Sequence, residues 1–355
     1  MQKRDQRIDF LRFFGALVVM LAHTEPPAWL FQLRNFGTPL LIVVSALAVA
    51  VVFRDKPMQP WPFLKRRLVK LTVPPWVFLT IFFGIVIAYA KLRGKAFPFS
   101  ADEVLTSYTF DSGIGYVWIF KVYLTIALLT PWLLRFKARV SEKSTYFAIL
   151  IAAYGMYEGL NWLVQSDVHG ALLLGLCDNM IVVLPYAILF AYGLQLDELA
   201  DRQVAAIAVV ALLIFATMAV VKFQQVGHFV ATQPYKYPPT LYYLSYALFC
   251  LNTLYLLSKS ALVGRLPARP IAWLSSNLLW IYLWHILGLF VWDALIGPSR
   301  GRLDKSFIEL FCMVAFGVGL TWLQNRAVER WLPGTIASSR KAVCSMWAKA
   351  RGTAA

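Results

Sequence analysis

The sequence predicts an all-α integral membrane protein, a bundle of about ten transmembrane helices with both termini in the cytoplasm. Three observations lead there. Of 355 residues, 59% are hydrophobic, and the mean hydropathy is +0.62, too apolar for a soluble chain of that size. Ten apolar stretches are long enough to cross a bilayer, at 8–23, 36–53, 71–90, 116–134, 145–165, 171–193, 203–221, 240–258, 272–296 and 306–325. The 34 Lys and Arg are also unevenly spread. With the N-terminus inside and the spans alternating, the inner segments hold 23 and the outer ones 9, which is the positive-inside bias. That bias accounts for the net charge of +16 without a nucleic-acid partner.

The first segment begins with Lys3, Arg4 and Arg7 and then turns apolar, as a secretory signal does. No small-residue cleavage pattern follows; the run ends in His23-Thr24-Glu25-Pro26-Pro27, so it reads as a retained helix. Between the second and third spans, the inner loop 54–70 crowds Lys65, Arg66, Arg67 and Lys70 together just before the bilayer. The longest outer connection, Lys91–Gly115, carries Asp102, Glu103 and Asp111. The connection 166–179 holds Asp167, His169 and Asp178, and 222–239 holds His228 and Tyr237-Pro238-Pro239. Residues 1–330 therefore form one membrane domain. The basic stretch 331–355, with Trp331 and Trp347, reads as a cytoplasmic tail that is disordered or lies on the membrane surface.

Several function classes fall away. Cys177, Cys250, Cys312 and Cys344 are scattered singly, which supports neither a disulfide framework nor a zinc site, and no metal is expected. There is no GxxxxGK[ST] or GxGxxG, which argues against an ATP-driven pump and against a nicotinamide enzyme. No inverted repeat of broken spans is visible, and nothing fixes an oligomeric state.

The polar residues inside the spans carry the functional information. Arg12 and His23 stand eleven residues apart, close to three helical turns, on nearly one face and ~16 Å apart along the axis. A guanidinium in a membrane segment costs roughly 2.5–3.5 kcal/mol on insertion scales. Either Arg12 snorkels to the headgroups with His23 in the opposite interface, or the stripe is functional. The 65–70 cluster has the same two readings: an anchor on anionic lipid, or a dock for a phosphorylated cytoplasmic cofactor gripped by Arg forks. Coenzyme A fits the second, with phosphates at one end and a thioester on a long arm. His23 would then stand where a thioester from inside meets a hydroxyl from outside, as general base or as nucleophile. A break before Pro26-Pro27 would allow Glu25 to orient its ring.

His285, within Trp280-Ile281-Tyr282-Leu283-Trp284-His285, is either a packing histidine or a substrate contact. Lys121 lies between Trp118 and Tyr123 and either snorkels outward or meets substrate. Trp118 and Tyr123 offer aromatic faces suited to a sugar ring. For His169 and His228, surface placement is the default.

These residues resemble a family. Arg7-Ile8-Asp9-Phe10-Leu11-Arg12, followed by His23, is similar to the opening signature of the acyltransferase-3 family of membrane acyltransferases. Asn35-Phe36-Gly37-Thr38-Pro39-Leu40 leading to Val44-Ser45, the Lys65-Arg66-Arg67…Lys70-Leu71…Pro74 stretch, Trp118…Pro131 and Tyr282-Leu283-Trp284-His285 follow in the family's order. The resemblance spans most of the ten helices, and its first-helix motif is the most discriminating part. It implies transfer of an acyl group, commonly acetyl from acetyl-CoA, across a bacterial inner membrane to a sugar hydroxyl of an envelope glycan or lipid-linked saccharide. It implies that Arg12 and His23 are essential. Two departures stand out. Lys70 occupies a place where the family usually has Arg, keeping the charge without the planar fork, and Ala46 stands where Gly is usual. Some members carry a fused outer hydrolase-like domain; none is expected after the tenth span here.

The leading expectation is thus an O-acyltransferase. Arg12, Arg66, Arg67 and Lys70 would hold the donor's phosphates, and His23 would act on the acceptor hydroxyl. Trp118, Lys121, Tyr123 and His285 would contact the acceptor. The alternative from another class is a transporter or flippase of lipid-linked glycan, which would tolerate loss of His23 better. A non-catalytic scaffold is disfavoured by the cost of burying Arg, His and Lys.

Overall fold

A computed structural model describes residues 4–165 and 171–331. The connection holding Asp167 and His169, most of the basic tail and Cys344 lie outside the described residues, as do the side chains of Cys177 and Asp178. Among the described residues thirteen helices run in order: α1 Gln6–Ala22, α2 Ala28–Leu33, α3 Gly37–Val52, α4 Pro60–Leu92, α5 Ala101–Tyr108, α6 Trp118–Arg139, α7 Lys143–Gln165, α8 Ala171–Gln195, α9 Asp201–Val226, α10 Leu241–Ser258, α11 Ala261–Arg265, α12 Ala268–Leu295 and α13 Leu303–Trp331. Two short 3₁₀ turns, Leu196–Glu198 and Gln233–Tyr235, complete the set. The architecture is all-α, with no strand among the described residues.

Seven segments among the described residues are long and apolar enough to cross a membrane: Ala28–Val52, which joins α2 to α3, and α4, α6, α9, α10, α12 and α13. The other three expected spans are helical as well. Of these, α1 has 17 residues, about 26 Å of helix, slightly under a hydrocarbon core. The remaining two, α7 and α8, flank residues 166–170.

The helices overrun their apolar windows at the charged ends, and this corrects the reading of the inner loop. The helix of the third expected span, α4, starts at Pro60, not near residue 71. Pro at the first turn has no amide to leave unsatisfied, and Lys, Arg and Leu are good helix formers. Lys65, Arg66, Arg67 and Lys70 therefore project from the first turns of α4 rather than from a loop. The outer connection 91–115 likewise contains a helix, α5. It opens on a capping box in which Ser100 Oγ accepts from the Glu103 amide at 3.1 Å, while the Glu103 carboxylate accepts from the Ser100 amide at 2.7 Å.

The most central helix is α3: Leu40, Ile42, Val43, Val44, Ala46 and Leu47 are all almost completely buried. It packs on α1, α8 and α10. Against α8 the backbones approach closely, because a Cβ on Gly193 would come within 2.8 Å of both the Ala46 Cβ and the Val43 carbonyl oxygen. The small residue this crossing needs is supplied by Gly193 on α8, which tolerates Ala46 on α3. A second apolar cluster joins α4, the start of α6 and α12 through Phe78, Phe82, Phe83, Phe120 and Leu283. Large apolar side chains such as Val209, Val210, Leu213 and Val220 on α9 face outward, where lipid tails carry no penalty for them. Between the two clusters, α1 and α12 pack together and border a long cavity.

Candidate active site: a cationic cavity that ends at a histidine pair

The cavity has a volume of about 760 Å³ and is lined from α1, α3, α4, α6 and α12, and from the connections after α1 and α9. Its volume falls within the roughly 300–1,000 Å³ of small-molecule sites. Arg12 and His23 both line it, at opposite ends of the same face of α1.

The end near the start of α1 is strongly basic. Arg12, Arg66, Arg67 and Lys70 all border it. Arg12 donates to Ser275 Oγ at 3.3 Å and stands 4.0 Å from Asp9. That carboxylate is already engaged by Arg4, whose Nη2 donates to Asp9 Oδ1 at 2.8 Å and to Ser276 Oγ at 2.9 Å. Arg67 sits over the Phe63 ring at 5.4 Å, and Arg66 Nε donates to the Pro62 carbonyl at 3.1 Å. Among the described residues no carboxylate pairs with Arg66, Arg67 or Lys70. Arg12 shares its one carboxylate with Arg4 and the other three have none, so this end of the cavity carries uncompensated positive charge, three of its four cations having the fork geometry that phosphates accept. Tyr123 and Ser45 also line the wall.

At the far end of α1, His23 caps the helix and its ring meets another imidazole. His23 Nδ1 lies 2.9 Å from His285 Nε2, and the rings stack at 5.1 Å. His285, fully buried on α12, turns its own Nδ1 onto the Tyr282 carbonyl oxygen. This chain of contacts assigns the protons. A carbonyl can only accept, so His285 Nδ1 carries hydrogen and its Nε2 offers a lone pair. His23 Nδ1 must then donate, which leaves His23 Nε2 unprotonated in the neutral pair. The Tyr116 ring packs edge-on against His23 at 4.8 Å, and Tyr282 holds that segment by donating to the Tyr116 carbonyl at 2.8 Å. Glu25 does not orient the ring: after the turn at His23 its backbone φ is +47°, and its carbonyl accepts from Gly301. The ring's partner comes from α12 instead.

The remaining sequence candidates separate. Trp118 borders the cavity and packs edge-on to Tyr237 at 5.0 Å. Lys121 does not border it; it pairs with Asp111 at 2.5 Å beside a smaller neighbouring pocket. His228 is exposed on its loop. Two residues that sequence reasoning overlooked do line the cavity beyond His23: Arg34 and Lys236. Both lie on connections where cations are normally solvated, and no periodicity marks them. Burial, with the Arg34 charge adding, pushes the Lys236 ammonium down to about 7. Among the described residues no group of three His, Cys, Asp or Glu is placed to hold a metal ion.

Fold and site together define a helical membrane protein whose bundle holds one cavity bordered by a cationic cluster and by a histidine. The model of the acyltransferase domain of the acyltransferase-3 family matches residues 5–325, so the chain belongs to that family. That match takes in every lining element. No curated protein and no solved structure matches.

Proposed function

We propose that this protein is a membrane O-acyltransferase that moves an acyl group, acetyl in the simplest case, from cytoplasmic acyl-CoA to a hydroxyl of a cell-envelope glycan or lipid-linked saccharide. In this reading ten helices cross a bacterial inner membrane, both termini are cytoplasmic, and the basic end of the cavity opens inward. The single observation that carries the proposal is one cavity bordered by four cations at one end and, toward the other, by the His23 imidazole, which is hydrogen-bonded to His285 behind it.

Arg12, Arg66, Arg67 and Lys70 suit the phosphates of coenzyme A, and the ~16 Å of helix between Arg12 and His23 is comparable to its extended arm. The acceptor hydroxyl gives its proton to His23 Nε2 as its oxygen attacks the thioester carbonyl. The tetrahedral intermediate collapses by breaking the carbon–sulfur bond, and the proton held by His23 passes to the departing sulfur. While His23 is an imidazolium, its Nδ1–H···Nε2 bond to His285 is charge-assisted, which stabilises the charge where it forms. Trp118 and Tyr123 supply aromatic wall on the path between donor and acceptor.

Purified protein in detergent should be protected against heat by CoA or acetyl-CoA, and Arg67→Ala should weaken that protection. Absence of a shift at saturating ligand counts against the enzyme. In cells, His23→Ala at matched expression should abolish acetylation of the surface glycan. A flippase would keep moving its glycan in that variant and would need no acetyl-CoA.

A further inference from the structure

Beyond His23 the cavity is bordered by two further buried cations, which lie outside the set assigned above to the donor. Arg34 is 6% exposed and Lys236 is 7% exposed. Burying such charges is costly unless a counter-charge meets them. Among the described residues neither has a carboxylate partner, and Arg34 Nε has no hydrogen-bond acceptor. Aromatic rings hold them instead. The Arg34 guanidinium lies 3.6 Å from the centre of the Phe31 ring, and the Lys236 ammonium 5.1 Å from that of Tyr237 and 5.6 Å from that of Trp118. Ring faces position a cation without neutralising it, so both charges remain available to a ligand.

The two segments that carry them are tied to each other. Asn35 Nδ2 donates to Thr232 Oγ at 2.8 Å, Gln32 Oε1 accepts from the Thr232 amide at 2.8 Å, and Tyr246 donates to the Leu33 carbonyl at 2.8 Å. This is a built site rather than two loops that happen to meet. Gln233 also borders the cavity here, and its buried Oε1 lacks a donor. Both cations lie within electrostatic reach of the His23 ring. All three side chains border the same cavity, so an anion held by the two cations would share it with the His23 ring. In the reading above the donor's phosphates are met by Arg12 and the α4 cluster at the opposite end of α1, which leaves this pair of cations for another anion.

Resting on the acyl-transfer reading above, we infer that the acceptor is an acidic saccharide whose oxyanion, a carboxylate or a phosphate close to the acylated hydroxyl, is bound by Arg34 and Lys236. Arg34 supplies a fork for two oxygens and Lys236 a point charge. Gln233 Oε1 accepts from a sugar hydroxyl, and the Trp118 and Tyr237 rings border the sugar.

The test uses the full-length protein in detergent, with thermal protection measured for four probes: a uronic-acid oligosaccharide, a sugar phosphate, their neutral counterpart and inorganic phosphate. Acetyl-CoA is run in parallel. One or both acidic sugars should protect and the neutral sugar should not, and which acidic sugar protects tells carboxylate from phosphate. Arg34→Gln and Lys236→Gln should each weaken that protection about tenfold or more, while Lys236→Arg keeps it at neutral pH. Protection by acetyl-CoA should persist in all three variants, which shows that they are folded and separates this site from the donor site. If neutral and acidic sugars protect alike, if neither protects while acetyl-CoA does, or if inorganic phosphate protects as well as the sugars, the acidic-acceptor inference is overturned with acyl transfer intact. Failure of acetyl-CoA itself removes the reading on which it rests.

Discussion

Replacing His285 by Phe isolates the imidazole pair. The substitution fills the buried space on α12 but removes the acceptor that meets His23 Nδ1 at 2.9 Å. In the resting enzyme a neutral hydrogen bond is lost. In the transition state of the proposed mechanism, with the proton on His23, the lost bond is one to a charged donor, worth about 1.5–3 kcal/mol. By transition-state arithmetic that is roughly a ten- to hundredfold loss of rate. The bond strengthens only as the proton arrives, so the loss belongs in kcat, with KM for acetyl-CoA nearly unchanged. The assay is thiol release from acetyl-CoA by membranes that contain the acceptor glycan, normalised to the amount of folded protein that acetyl-CoA protects against heat. His285→Gln, whose carbonyl oxygen can still accept from His23 Nδ1–H, should recover part of the rate. A Phe variant with wild-type kcat, or one whose whole defect lies in KM, would refute the relay. Equal loss in Phe and Gln variants would point to packing alone.

Three further expectations follow from other parts of the molecule. Arg67→Ala should weaken CoA protection by about 1.5–3 kcal/mol, the worth of a charged hydrogen bond, whereas Lys70→Arg, by adding a fork, should tighten it; isothermal titration reads both. Binding of an acidic saccharide should strengthen as pH falls through about 7, because Lys236 is cationic below that value and neutral above it. The groups around it are Arg34, His23, Tyr237 and Trp118, so the measurement is equilibrium binding rather than turnover, and Lys236→Arg should flatten the profile near pH 7. Gly193→Ala should lower thermal stability by about 1–3 kcal/mol through overpacking, since the new methyl meets Ala46 and the Val43 carbonyl at 2.8 Å. Adding Ala46→Gly should restore part of the loss in a double-mutant cycle, and none if the two residues are not coupled.

What the chain determines by itself is whatever depends on neighbours along it. Apolar windows mark where the helices run, and a separation of eleven residues places Arg12 and His23 on one stripe of α1. Helical rise alone then sets the spacing between the basic end and the imidazole. The same local logic started the third span too late, at residue 71 rather than Pro60, because hydropathy reports burial in lipid whereas helix formation follows backbone capping and propensity, which continue into charged sequence. Tertiary structure decided the rest. His285 reaches His23 across 262 residues of chain, and no periodicity in α12 states which face meets α1. Glu25, two residues from His23, had the advantage of proximity and does not reach the ring. Lys121 looked like an intramembrane charge and is instead paired with Asp111. Arg34 and Lys236 lie on connections where nothing in the sequence singles them out, yet the Gln32, Asn35 and Thr232 hydrogen bonds tie their segments together and both are buried. The physical reason is the same in each case: a helix's periodicity sets which residues share its face, but only packing between helices, through close approaches such as Gly193 on Ala46, sets which faces enclose a cavity and which charges are left without a partner inside it.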